Sequence, residues 1–150
     1  MADIINLAAL GKRPDMSAIT TPLLEYLAAE GYRAALDDDG DISFKHEGLH
    51  FSLCFDSDDP LFAKLVLPNV WTIDSDAEHA RVLAALDDVN RRLKVAKGHT
   101  VNDRAWLCIE LWVLDQQHWT THLPRALRTL THALGRFAAQ MNGVAESSQS

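Results

Sequence analysis

One stretch in the middle of the chain has apolar residues at helical spacing, and strand-like sequence lies on both sides of it. It runs from Asp76 to Lys97 and predicts an amphipathic helix that joins two halves of one sheet. Its apolar stripe consists of Val82, Leu83, Leu86, Val89 and Leu93. Its opposite side, expected to face solvent, consists of Arg81, Asp87, Asp88, Arg91 and Lys94.

Alternating apolar and polar residues predict strands before and after this helix. The clearest strand is Ala105–Leu114, in which Leu107, Ile109, Leu111 and Val113 alternate with Trp106, Cys108, Glu110 and Trp112. The other expected strands are Tyr32–Asp37, Ile42–His46, Leu49–Phe55, Leu61–Leu67 and Lys94–Val101. Asp38-Asp39-Gly40 is typical of a hairpin turn, and Pro68 is expected to end the strand before it.

Two further helices are predicted towards the ends of the chain. Thr21 suits an N-cap and Pro22 the first helical position, so one helix covers Pro22–Glu30 or begins as early as Ser17. Apolar residues at alternating spacings of four and three predict another from about Pro124 to Asn142. Residues 4–10 are consistent with a short helical turn.

This order of elements predicts an α+β fold. Hairpins grouped in this way indicate an antiparallel sheet of five to six strands with helices mainly on one face, in the order α-β-β-β(-β)-α-β-β-α. A chain of 150 residues is expected to form a single domain, here residues 17–143. Residues 1–16 form an N-terminal segment, and residues 144–150 are expected to be a disordered tail.

The charge of the chain argues against several classes of partner. A net charge of −7 disfavours nonspecific binding to nucleic acid or to anionic membranes, both of which need clustered Lys and Arg. The sequence has no apolar run near the ~20 residues that span a bilayer, and its start is a poor signal peptide. Cys54 and Cys108 are therefore expected to be reduced thiols in a cytoplasmic protein.

The sequence contains no motif for catalysis or for cofactor binding. It has neither a G-x-S-x-G elbow nor a glycine-rich phosphate loop, and its Asp-rich runs fit turns better than a calcium loop. We therefore expect a non-enzymatic protein without a metal or cofactor. The alternative is a small-ligand or metal-binding regulator that uses His118 and His122, whose i,i+4 spacing would place both rings on one helical face. Outside a helix they would be two exposed loop histidines.

Two surfaces are candidates for contacts with other proteins. Arg125, Arg128, His132 and Arg136 lie opposite the apolar stripe of the last predicted helix. This basic strip is either solvated and partly paired with the protein's own carboxylates or binds an acidic partner. Trp106 and Trp112 share the reverse face of the last predicted strand. They form either an exposed aromatic patch or a surface that another segment covers.

Several local strings follow the order found in a known bacterial family. They are Gly31-Tyr32 after the capped helix, ISFKHEG (42–48), FDSDDPLF (55–62) and LDDVNRRLKVAK (86–97), which passes directly into a strand. Over residues 17–142 the chain resembles the YbjN-like domain, whose family shares its fold with the class I chaperones of type III secretion. The tryptophan-rich last strand is not part of that family pattern.

The resemblance implies a small acidic α+β domain that is commonly dimeric and that binds proteins rather than catalysing a reaction. An asparagine recurs near the end of the family's middle helix, and Asn90 matches it. This residue would either bond the backbone where the helix passes into a strand or contact a second subunit. We therefore expect a chaperone-like or regulatory protein-binding module that acts as a homodimer.

Overall fold

Six antiparallel strands form one sheet in the computed structural model, which describes residues 15–143. The strands are β1 (Ala35–Leu36), β2 (Ile42–His46), β3 (Leu49–Cys54), β4 (Phe62–Thr72), β5 (Ala96–Val101) and β6 (Arg104–Trp112). Their order across the sheet is β1-β2-β3-β4-β6-β5, so β1 and β5 are its edges. The predictions for residues 4–10 and for the tail 144–150 lie outside the described residues.

Three helices pack on one face of this sheet: α1 (Ser17–Ala29), α2 (Asp76–Arg92) and α3 (Trp119–Met141). Leu86 of α2 packs closely against Gly98 of β5: a Cβ added at Gly98 would lie 2.6 Å from Cδ2 of Leu86. On α3, the ring of Phe137 packs edge-on against Trp71 of β4, with 5.9 Å between centroids. Apolar residues of α1 belong to the same buried cluster. The α+β prediction is confirmed.

The middle helix begins where the sequence predicts and ends earlier. Ser75 caps α2 by accepting a hydrogen bond from the N–H of Glu78 (3.1 Å). The helix stops at Arg92 rather than Lys97 because Leu93 adopts extended backbone. Most of the predicted apolar stripe is buried against the sheet, but Leu83 is half-exposed, so its assignment to the core was wrong.

Helix α1 begins at Ser17, the earlier of its two predicted starts, and the last helix begins several residues before its predicted start. Asp15 accepts a hydrogen bond from the N–H of Ser17 (2.9 Å), so α1 begins there and the predicted N-cap, Thr21, lies inside it. Asp115 accepts one from the N–H two residues later (2.7 Å) and starts a short 3-10 turn that leads into α3. Pro124 therefore lies within α3 rather than at its beginning.

Strand β4 continues through Pro68, which was predicted to end it. The pairing of β4 with β6 shifts between Leu67 and Trp71, and Asn69 has a positive φ of 54°. A bulge of this kind accommodates a proline because a residue without an N–H is not required to pair there. The predicted strand Tyr32–Asp37 is reduced to the two residues of β1.

Candidate functional site

The sheet face opposite the helices, which we call the outer face, is not covered by any helix of the described residues. The strand register aligns Lys64 with Glu110 and Val66 with Cys108 on this face. Val66 and Cys108 are buried, yet neither belongs to the hydrophobic core cluster. The outer face therefore contains a small buried region of its own, separate from the core.

Charged side chains lie over the middle of the outer face. Glu110 is 3.2 Å from Nζ of Lys97 and 3.8 Å from Nζ of Lys64. Lys97 is the register partner of Cys108, so the aliphatic stems of the lysines can shield the apolar side chains below while their ammonium groups stay in water. The middle of the outer face is therefore covered by ion-paired polar groups rather than by exposed apolar side chains.

One end of the outer face is apolar and open. Trp112 is 89% exposed and Leu114 is 85% exposed, while Leu61 is half-exposed. Phe62 is the register partner of Trp112, and the N–H of Val113 donates to the carbonyl of Leu61 (2.8 Å), which holds the two chain segments side by side. We call Phe62, Trp112 and Leu114 the Trp112 patch; Leu61 has the parity of the core-facing residues of β4 and is not part of it. Exposed apolar residues gathered at one place are typical of protein-interaction sites.

The structure separates Trp106 from this patch. The two tryptophans are six residues apart along β6, which is about 20 Å along a strand. The indole N–H of Trp106 donates to Oδ1 of Asn69 (3.2 Å), and its ring lies 6.3 Å from that of His99. Trp106 is only partly exposed, so the two tryptophans do not form the single aromatic surface considered from the sequence.

Asn90 hydrogen-bonds the backbone of the edge strand β5, which is the first of the two roles considered for it from the sequence. Its Oδ1 accepts from the N–H of Gly98 (2.7 Å), and its Nδ2 donates to the carbonyl of the same residue (3.2 Å). The side-chain amide thus occupies the groups through which another strand would pair with the middle of β5. At the opposite edge, β1 is only two residues long. Extension of the sheet by a partner strand is disfavoured at both edges.

The three arginines of the predicted basic strip have different surroundings. Arg136 donates from Nε to Oδ2 of Asp88 (2.7 Å), and Arg92 donates to Oδ1 of the same carboxylate (2.7 Å). Asp88 is buried, so its assignment to the solvated face of the middle helix was wrong. Arg136 therefore joins α3 to α2. Within residues 15–143, Arg125 and Arg128 are exposed and form no ion pair.

The carboxyl group of Asp88 is ionised more readily than an ordinary aspartate. Burial by itself raises its pKa, but the hydrogen bonds from Arg136 and Arg92 outweigh burial and hold the pKa below its usual value. The buried stripe of α2 extends towards Asp88 through Ala85 rather than through Leu83. Because alanine is only weakly apolar, the sequence pattern did not indicate that Ala85, rather than Leu83, lies on the buried side of α2.

His118 and His122 lie at the start of α3, the first in the 3-10 turn and the second in the helix. Their rings are 6.3 Å apart at nearly right angles, and both side chains are exposed. Across the described part of the chain, no group of three or more His, Cys, Asp or Glu side chains could hold a metal ion. Two imidazoles alone do not complete a tetrahedral site.

Both cysteines are free thiols. Burial, followed by the charge of Asp41, raises the pKa of Cys54 to about 12. Burial, followed by the charge of Glu110, also raises the pKa of Cys108. Since the thiolate is the nucleophilic form, neither side chain is activated for covalent chemistry near neutral pH.

Comparison with known proteins does not place the chain in a family. No protein-family model matches the chain, and no curated protein matches it significantly. Among the helices of residues 15–143, none is both long enough and apolar enough to cross a bilayer.

Proposed function

We propose that the protein is a non-enzymatic protein-binding module, chaperone-like or regulatory, that holds an apolar segment of a partner polypeptide on the Trp112 patch. The exposure of Trp112 carries this proposal. A tryptophan side chain has roughly 200 Å² of largely apolar surface, whose removal from water favours association. Tryptophan is also among the residues most enriched in interface hot spots.

The geometry around the patch supports docking through side chains rather than strand addition. Asn90 occupies the middle of the β5 edge, and β1 is too short to template a long partner strand. The paired charges of Lys64, Glu110 and Lys97 border the patch on the same face. A polar rim beside an apolar centre is the usual anatomy of a protein interface.

The proposal includes a homodimer that acts in the cytoplasm. The dimer rests on the resemblance to the YbjN-like domain, and the cytoplasmic location rests on the two cysteines, which are free thiols. Light scattering at micromolar concentration tests it, since a dimer has twice the 16.7 kDa mass of one chain. A monomer at that concentration removes the dimer from the proposal and leaves the Trp112 patch as a partner site.

Substitution of the patch tests the binding function. We expect the double variant Trp112→Ser and Leu114→Ser to lose most of the partner that co-purifies with the unaltered protein, with an unchanged circular dichroism spectrum. Leu83→Ser is the matched control, because Leu83 is also an exposed apolar residue but lies on α2. Equal recovery of partner by the double variant and the control would contradict the proposal.

A further inference from the structure

A cavity of about 320 Å³ lies on the helix side of the sheet, away from the Trp112 patch. It is formed where the end of α1, the turn between β2 and β3 and the beginning of α3 meet. Leu123, Pro124 and Leu127 of α3 supply an apolar wall. The volume lies at the lower end of the range for small-molecule sites, which is about 300–1,000 Å³. The cavity therefore suits a ligand the size of one amino acid.

Two tyrosines line the cavity, and contacts with neighbouring side chains fix the orientation of one of them, Tyr32. The hydroxyl of Tyr32 hydrogen-bonds Nδ1 of His46 (2.9 Å), and its ring packs edge-on against Phe44 at 5.2 Å. Tyr26 lines the same cavity from α1. Because aromatic faces attract cations, these rings favour a positively charged group in front of them.

Acidic and basic side chains lie on different elements around the cavity, and Glu47 also approaches Nε2 of His46 (3.7 Å). Glu30 and Glu47 line it on the side of the tyrosines, and Arg128 lines it on the side of α3. Burial first, and then the negative charge of Glu30, raises the pKa of both Tyr26 and Tyr32, which shows that the acidic side acts on the cavity wall. Arg128 forms no ion pair with either glutamate in the described structure.

We propose that this cavity binds a zwitterion of amino-acid size with an apolar side chain. The ammonium group is placed against the tyrosine faces and the carboxylates of Glu30 and Glu47. The carboxylate of the ligand pairs with Arg128, whose planar guanidinium suits bidentate binding of a carboxylate. The apolar side chain rests against Pro124, behind which Leu123 and Leu127 are buried. The site is independent of the Trp112 patch and gives the exposed Arg128 a specific role.

Calorimetric titration with three related probes tests the requirement for both charges. The probes are L-phenylalanine, 3-phenylpropionate, which lacks the amine, and 2-phenylethylamine, which lacks the carboxylate. We expect phenylalanine to bind at least tenfold more tightly than either analogue. Comparable affinity for one analogue, or no binding of phenylalanine, leucine or tryptophan up to about 10 mM, would overturn the proposal.

Two substitutions separate the charge contacts from folding. Arg128→Ala should weaken phenylalanine binding at least tenfold and leave 2-phenylethylamine binding unchanged. Glu47→Gln should weaken phenylalanine and 2-phenylethylamine and spare 3-phenylpropionate. Arg125→Ala is the matched control, since Arg125 is an exposed arginine of the same helix that does not line the cavity. If Arg128→Ala binds phenylalanine as Arg125→Ala does, the proposed carboxylate contact is wrong.

Discussion

Replacing Asp88 by alanine is expected to destabilise the fold more than any change at a neighbouring exposed position. The carboxylate is 8% exposed and accepts hydrogen bonds from Arg92 and from two nitrogens of Arg136. Removing it leaves the guanidinium of Arg136, itself only 17% exposed, without this partner between α2 and α3. The ion-paired link between the two helices is then lost.

The magnitude follows from the burial of the three side chains. Breaking a fully buried ion pair costs about 3–5 kcal/mol, and an exposed pair contributes about 0–1 kcal/mol. Because Arg92 is 38% exposed, we expect a value between these limits, about 2–3 kcal/mol. At about 2–4 °C per kcal/mol for a chain of this size, Tm should fall by roughly 4–12 °C.

Equilibrium unfolding in urea, followed by circular dichroism, measures this loss. Asp87→Ala is the control, because Asp87 is the exposed neighbour on the same helix and its replacement should change the stability by less than about 0.5 kcal/mol. If Asp88→Ala and Asp87→Ala have the same free energy of unfolding within that margin, the carboxylate does not join α2 to α3 as argued.

Three further predictions follow from the same contacts. Because the pKa of Asp88 is lowered in the folded protein, its ionised carboxylate stabilises the fold above the ordinary carboxylate pKa of about 4, and this stabilisation is lost as pH falls through the lower folded value. Asp88→Asn should therefore lose stability less steeply in acid than the unaltered protein. Equal slopes of stability against pH would contradict this. Asn90→Ala should cost about 2 kcal/mol in urea unfolding through its two bonds to Gly98, and Asn90→Asp should not restore the loss, because its second oxygen would face the Gly98 carbonyl; no cost for Asn90→Ala would refute the role. Cys54 and Cys108 should react with a disulfide reagent at pH 8 only after urea is added, and rapid labelling of the native protein would contradict their raised pKa values.

The sequence predicted the fold well where one periodicity ran through a whole element. Strand β2 has the predicted bounds, and α2 begins at the predicted residue. Boundaries were wrong where a single side chain competed with the pattern. The carboxylate of Asp115 starts helical backbone ahead of Pro124, and a bulge carries β4 past Pro68. The first depends on a single side-chain hydrogen bond and the second on strand pairing, and neither can be predicted from the spacing of apolar residues.

The candidate sites were predicted less completely. The exposure of Trp112 was one of two interpretations, but its separation from Trp106 depends on where β6 ends and on what Asn69 contacts. The pairing of Asp88 with Arg136 joins residues 48 positions apart. The cavity brings together α1, a hairpin turn and α3, so no local pattern could have indicated it.

Crosslinking from position 112 tests the proposed function most directly. A photoreactive amino acid replaces Trp112 in one variant and the half-exposed Leu83 in a control, and each is activated in the cell that naturally contains the protein. We expect a crosslinked polypeptide from position 112 and none from position 83. No product from position 112, or the same products from both positions, would contradict a partner site at the apolar end of the outer face.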